Sequence, residues 1–316
     1  MTKLACVFPG QGAQSVGMGA DLFDNYEIAR GTFVEMDSIA GRSLSTLCFV
    51  GPEEELKRTI NTQPTILAVS LAAWRCYESA GGRRPDFVAG HSLGEFSALV
   101  ASGVLTLDSA VGLVDKRAQL MEVCPIGAMS AVINLAPEAL EKCCADVRSA
   151  SPDNIVVIAN FNTREQLVIS GSPAAVAAAG DAAKAAGAKV IPLPVGGAFH
   201  SPLMDSAARE FSAELTKYLF VDASIPVVQN CDAKVATAAA EIKNKLSKQM
   251  PSSVRWCESV EYMLSQGVDT FIEIGPGKAL AGMIKKIDRS AKVFNIFDGA
   301  SLKATLEALV GAVSVK

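Results

Sequence analysis

Val88-Ala89-Gly90-His91-Ser92-Leu93-Gly94-Glu95 places a serine midway between two glycines, with a histidine directly before it. G-x-S-x-G between a strand and a helix marks the sharp turn that lifts a serine hydroxyl clear of a sheet edge. Lacking Cβ atoms, the two glycines let strand and helix approach closely enough to hold the serine in a strained, exposed conformation. Phe87-Val88-Ala89 is a short apolar run, and residues 95–102 are amphipathic, so the pentapeptide has the flanks it requires. Read alone it is also compatible with an ordinary glycine turn.

Outward from this elbow, strand-length apolar runs at Leu4 to Phe8, Phe87 to Ala89 and Phe271 to Ile274 are each followed by a glycine-containing turn and a helical pattern. This is an α/β signature. From Gly127 to Val195 the rhythm tightens into AMSAVINL, a helix opening at Pro137, IVVIANF, QLVISG, an Ala-rich surface helix from Pro173, and KVIPLPV. Strand, helix, strand, strand, helix, strand is the split βαβ, ferredoxin-like order. The expected architecture is an α/β-hydrolase-like large domain, residues 1–126 and 196–316, with a ferredoxin-like α+β insert, residues 127–195.

The chain has 316 residues, 50% of them hydrophobic, enough for two packed lobes. The net charge of -4, without a long run of either sign, argues against a nucleic-acid partner. Eight cysteines, from Cys6 to Cys257, include no C-x-x-C and no zinc pattern, so they read as reduced thiols and no metal is expected. No apolar run reaches the length of a membrane span, and the N-terminus has no apolar signal core. A soluble protein of the cytoplasm is expected, the alternative being an organelle matrix or stroma after removal of a transit peptide. The oligomeric state is not legible, with a monomer favoured.

A nucleophilic serine needs a base, and the chain offers two histidines, His91 and His200. Adjacent side chains leaving a tight turn diverge, so His91 is read as a packed, hydrogen-bonded neighbour and His200 as the base. Ser201 and Pro202 read as an N-cap and first helical position. The dipole of that helix is expected to keep His200 neutral. In residues 107–123 the positions Ala110, Val111, Val114, Ala118 and Met121 form an apolar stripe on which Arg117 also falls. A buried arginine should meet a carboxylate or phosphate, either an acidic residue of the same chain or a substrate carboxylate.

At these residues the chain resembles the malonyl-CoA:acyl carrier protein transacylases of fatty acid and polyketide synthesis. The resemblance runs essentially end to end, through Phe8-Pro9-Gly10-Gln11-Gly12-Ala13-Gln14, GHSLGE at 90–95, the Arg117 helix, Asn160 and Asn162, AFHS at 198–201, Gln249 before Pro251, and Ile274-Gly275-Pro276-Gly277. It implies the same two-domain fold. It also implies that malonyl passes from malonyl-CoA to Ser92, and from that ester to the phosphopantetheine thiol of acyl carrier protein, in a ping-pong sequence. By the same carry-over His200 is base and then acid, and the backbone amides of Gln11 and Leu93 form the oxyanion hole. Arg117 binds the malonyl carboxylate. Gln11, Asn160, Phe199 and Gln249 join Arg117 as substrate-binding residues, although Asn160, Phe199 and Gln249 equally suit packing or internal hydrogen bonding. A main-chain carbonyl near Gln249 orients the histidine, so no Asp completes a triad, unlike the hydrolase order.

No cofactor is implied, since the CoA thioester is a substrate. The rival readings are a serine esterase or thioesterase, which shares the elbow and base, and an idle carrier-binding module. Arg117 favours the transferase over the esterase, and the pair Ser92 and His200 counts against the module. For an acidic, helical carrier, Lys285, Lys286 and Arg289 are the candidate docking residues, a solvated helix face being the plainer reading.

Overall fold

The computed structural model describes residues 3–313. β1 (Lys3–Phe8) takes the centre of the larger sheet because from Leu4 to Phe8 its side chains are apolar on both faces, as a strand covered on each side requires. Leu4, Cys6 and Phe8 point into one core, with Leu67, Leu71 and Trp74 of the long helix Thr59–Ser79. Ala5 and Val7 point into the other, with Trp256, Val260 and Met263 of the helix Trp256–Ser265. A single alternating strand therefore divides the molecule into two helical layers.

β1 pairs in parallel with β2 (Phe87–Gly90) on one side. The outer pair β7 (Val227–Val228) and β8 (Val235–Ala236) follows β2, and only its own pairing is antiparallel. On the other side β9 (Val268–Ile274) and β10 (Lys292–Ile296) continue the parallel set, giving the order β10-β9-β1-β2-β7-β8. The carboxyl ends of β1 and β2 lie side by side, Phe8 paired with Gly90. Both functional loops leave from there, as ligand sites of open α/β sheets do.

The second sheet holds β3 (Ala128–Ile133), β4 (Val156–Thr163), β5 (Gln166–Gly171) and β6 (Lys189–Pro192) in the order β4-β5-β3-β6, all antiparallel. The helices Pro137–Ala150 and Pro173–Ala185 pack on it through Leu140, Cys144, Ala175, Val176, Ala179 and Ala183. This is the ferredoxin-like arrangement expected from the split βαβ pattern. The chain leaves for this sheet and returns at one place, where Ile126 bridges Gly197 and Gly127 N–H donates to Gly196 O. A second tie runs from β4: Phe161 N–H donates to Val254 O at 2.9 Å, and Val254 N–H to Ala159 O at 2.8 Å. No helix among the described residues is long and apolar enough to cross a membrane.

Candidate active site

The elbow is built by backbone pressed on backbone. A Cβ on Gly90 would lie 1.9 Å from the Gly94 carbonyl carbon, and one on Gly94 would lie 2.1 Å from Phe8 O. No side chain fits at either glycine, so the turn is tight and Ser92 takes φ 52°, in the left-handed region. Asn230 clamps it: its Oδ1 accepts from Ser92 N–H at 2.6 Å, and its Nδ2 donates to Gly90 O at 2.6 Å.

His200 arrives from 108 residues further on and sets Nε2 2.8 Å from Ser92 Oγ. Its Nδ1 lies 3.0 Å from Ser252 O and 3.2 Å from Gln249 O. Carbonyls can only accept, so Nδ1 bears the proton and Nε2 offers its lone pair to the serine hydroxyl. Burial pushes the imidazole down to a pKa of about 3, helped by the positive charge of Arg117 and by His91. The expected helix terminus has a smaller part in this. Ser201 does cap, accepting from Leu203 N–H, but it caps only the three-residue 3₁₀ turn Pro202–Met204, ahead of the helix Asp205–Leu215. Burial is the main cause of this base's neutrality. His91, the other histidine, has its Nε2 2.8 Å from Asn162 Oδ1 and its ring edge-on to Trp256.

The loop after β1 closes on the elbow, since a Cβ on Gly10 would lie 2.3 Å from His91 O. Among the described residues neither the Gln11 N–H nor the Leu93 N–H has an acceptor, although Leu93 is buried. Two idle backbone donors beside a nucleophile are what an oxyanion requires.

Ser92 and His200 open into a cavity of about 290 Å³. Gln11, Asn160 and Phe199 line it, and Met129 and Val168 show that the small sheet supplies one wall. Ala279, Leu280 and Met283, from the helix Ala279–Ile287, supply another. That helix carries Lys285 and Lys286, with Arg289 just beyond; all three are exposed, and none forms an ion pair among the described residues.

Arg117 is 1% exposed and projects from the helix Leu107–Glu122 to Ser92, behind the cavity and not among the residues that line it. Of the two partners the sequence allows, an acidic residue of the same chain is not there: among the described residues no carboxylate bridges it. Its donors meet neutral oxygens instead. Nη1 donates to Gln63 Oε1, and Nη2 donates to Ser92 Oγ and to Gln249 Oε1, both at 3.0 Å. Nε has no partner. Burial lowers its pKa to about 10, against the opposing pull of Glu95, so it remains a cation.

Gln249 does not line the cavity; its side chain is spent inside the protein. Beyond accepting from Arg117, its Nε2 donates to Ser92 O at 3.0 Å and to Glu95 Oε2 at 2.9 Å. The structure thus gives it a positioning role where substrate contact was one expectation. Gln63, Glu95 and Asn230 escaped the sequence reading. Glu95 sits in the first turn of a helix, where an acidic residue is ordinary, and nothing local marks the other two.

A strained serine at an α/β elbow, a buried neutral histidine and two free amide donors are the arrangement that serine-dependent acyl transfer requires. The chain belongs to the acyl transferase domain family, whose model matches residues 5–307. A malonyl CoA-acyl carrier protein transacylase of Salmonella typhimurium is 44% identical over 97% of this chain and 99% of its own. The Bacillus subtilis protein of the same name is 43% identical over 98% of each chain. Among solved structures, an acyl carrier protein S-malonyltransferase from Vibrio cholerae superposes with a TM-score of 0.93, at 44% identity, over 96% of this chain and all of its own. A malonyl-transacylase solved in complex with its type II PKS acyl-carrier protein gives 0.94 at 42% identity, over 97% of this chain and 100% of that one.

Proposed function

We propose that the chain transfers malonyl from malonyl-CoA to the phosphopantetheine thiol of acyl carrier protein through a malonyl ester on Ser92. One observation carries this reading beyond the family: a buried guanidinium with spare donors and no carboxylate, one of whose N–H groups already reaches Ser92 Oγ. An acyl group esterified there puts a carboxylate two carbons away within reach of that fork. An acetyl group leaves the cation unanswered.

In the first half-reaction Ser92 Oγ attacks the thioester carbonyl while its proton passes to His200 Nε2. The oxyanion rests against the Gln11 and Leu93 N–H groups. His200 then returns the proton to the departing CoA sulfur, and the malonyl ester remains. In the second half the carrier thiol gives its proton to His200 and attacks the ester, and Ser92 is regenerated. The ester and thioester exchange needs no cofactor.

The small sheet with its two helices forms a separate domain, residues 127–195, closing the cavity over the remainder. The exposed Lys285, Lys286 and Arg289 receive the acidic carrier, because the helix that lines the cavity through Ala279, Leu280 and Met283 carries the two lysines in its next turn, with Arg289 just beyond its end. The protein acts as a monomer in the cytoplasm, supplying chain extension for fatty acid or polyketide synthesis. Incubation with malonyl-CoA tests this reading: a malonyl mass increase should appear on Ser92 and move to added carrier protein. Malonyl-CoA loss with release of free malonate and no transfer would make the enzyme a thioesterase.

A further inference from the structure

The first turn of the elbow helix buries a carboxyl group that the transfer chemistry does not use. Glu95 is 1% exposed. Its Oε2 accepts from Gln249 Nε2 at 2.9 Å and from Asn230 N–H at 3.1 Å. At the other end of the same amide, Gln249 Oε1 accepts from Arg117 Nη2 at 3.0 Å. That nitrogen also donates to Ser92 Oγ. One glutamine amide therefore separates a buried anion from the buried cation beside the nucleophile. Its third bond, to Ser92 O, fixes which way the amide faces.

We propose that Glu95 is a positioning residue that balances the charge of the acyl site: ionised opposite Arg117 in the empty protein above neutral pH, it takes a proton from solvent when a substrate carboxylate occupies Arg117. This rests on the reading of Arg117 as the malonyl-carboxylate residue. Two anions about a single buried cation leave one of them uncompensated, which a low-dielectric interior penalises heavily. Of the two, the substrate's carboxylate meets the guanidinium directly and Glu95 meets it only through Gln249. Glu95 is the one to yield, and Oε1, which carries neither of the bonds above, receives the proton.

The surroundings place this exchange near neutrality. Burial raises Glu95 to about 7, opposed by the hydrogen bonds from Gln249 and Asn230 and then by the charge of Arg117, with Asp232 adding to the rise. Cys231, a further titratable group near it, has its thiol pushed up to about 12, chiefly by burial. His200 titrates near 3 and Arg117 near 10, so Glu95 is the group of this cluster that changes charge around pH 7. A second anion raises it further, so binding takes up a proton. Above pH 7 the affinity for malonyl-CoA then falls by up to about tenfold per pH unit, until the pKa of the occupied state is passed. Acetyl-CoA carries the same CoA phosphates without the distal carboxylate, so its affinity stays flat apart from their shared titration.

Calorimetry on Ser92→Ala protein at pH 8, in two buffers of different ionisation enthalpy, reads the proton directly. Malonyl-CoA should take up a substantial fraction of one proton more than acetyl-CoA does. Equal proton uptake by the two thioesters overturns the proposal. In steady state, Glu95→Gln should flatten the rise of malonyl-CoA KM above pH 7 with a smaller effect on kcat. A rise in KM that persists in folded Glu95→Gln protein also overturns it. The malonyl adduct on wild-type Ser92, read by mass, keeps the two ideas apart. With the adduct present and no proton linkage, only the role of Glu95 fails; with no adduct, the malonyl reading itself falls.

Discussion

Replacing Arg117 with alanine removes the one buried cation at the nucleophile and leaves Ser92, His200 and the Gln11 and Leu93 amides in place. A malonyl carboxylate would then be buried with no partner. Truncating one member of a buried, hydrogen-bonded charge pair costs about 2–5 kcal/mol, which is about 30- to 5,000-fold in malonyl kcat/KM. For an acetyl donor that loss does not arise. What it loses is the Nη2–H donation to Ser92 Oγ, about 1 kcal/mol for a typical hydrogen bond, or about fivefold. Against this, Arg117 depresses the pKa of His200, so its removal strengthens the base. Acetyl transfer should therefore stay within about tenfold of wild type, a margin set by those opposed effects. Arg117→Lys keeps the charge without the fork and should restore malonyl use in part. The assay is the malonyl to acetyl ratio of kcat/KM in wild type and both variants, with a thermal melt of each. The melt matters because Gln63 Oε1 and Gln249 Oε1 lose their donor. An unchanged ratio in protein whose melt has collapsed would show that Arg117 serves the fold alone.

Ser92→Ala should abolish the malonyl adduct without lowering the melting temperature, and an adduct persisting on the variant would place the nucleophile elsewhere. His200→Ala should slow acylation by about 10²–10⁴-fold, with His91→Ala doing less, because His91 bonds Asn162 and not Ser92; rapid-quench acylation rates decide between them. His200 also predicts acid sensitivity. Its pKa falls from 6.5 to about 3 on folding, so below pH 6.5 the unfolded chain binds a proton that the folded one refuses. Its contribution to stability is full above pH 6.5 and is lost progressively as pH falls toward 3; across that range the urea midpoint of wild type should fall more steeply with pH than that of His200→Gln. Reversing the charges of Lys285, Lys286 and Arg289 should weaken transfer to carrier protein and reduce its salt dependence while sparing self-malonylation. Equal loss in both half-reactions would remove them from the docking surface.

The features legible in the sequence are those whose cause is local. Gly90 and Gly94 are demanded by contacts within the turn and with the strand beside it, so the elbow carries its own signature. The split βαβ pattern between residues 127 and 195 is written in alternating periodicities, and the order β4-β5-β3-β6 follows from it. Arg117 stood out because a charge on an apolar stripe conflicts with its own helix. What stayed hidden acts across long separations. Asn230 clamps a serine 138 residues away, and Gln63 and Gln249 converge on Arg117 from 54 residues before it and 132 after. Glu95 was disguised by its position, an unremarkable first-turn acid until the fold buries it. The neutrality of His200 was anticipated for a different reason, since a capped turn is visible in sequence and full burial of an imidazole is not.

The tie between β4 and residue 254 couples the cavity wall to the base. Asn160, on that wall, lies in the stretch of β4 that is laddered to Val254, and Ser252, two residues earlier, holds the proton-bearing nitrogen of His200. The cavity wall and the carbonyl that orients the base thus lie two residues apart on one tied segment. A displacement of β4 would reach the carbonyl facing His200 across that short span, so the position of the wall and the aim of the base are not independent.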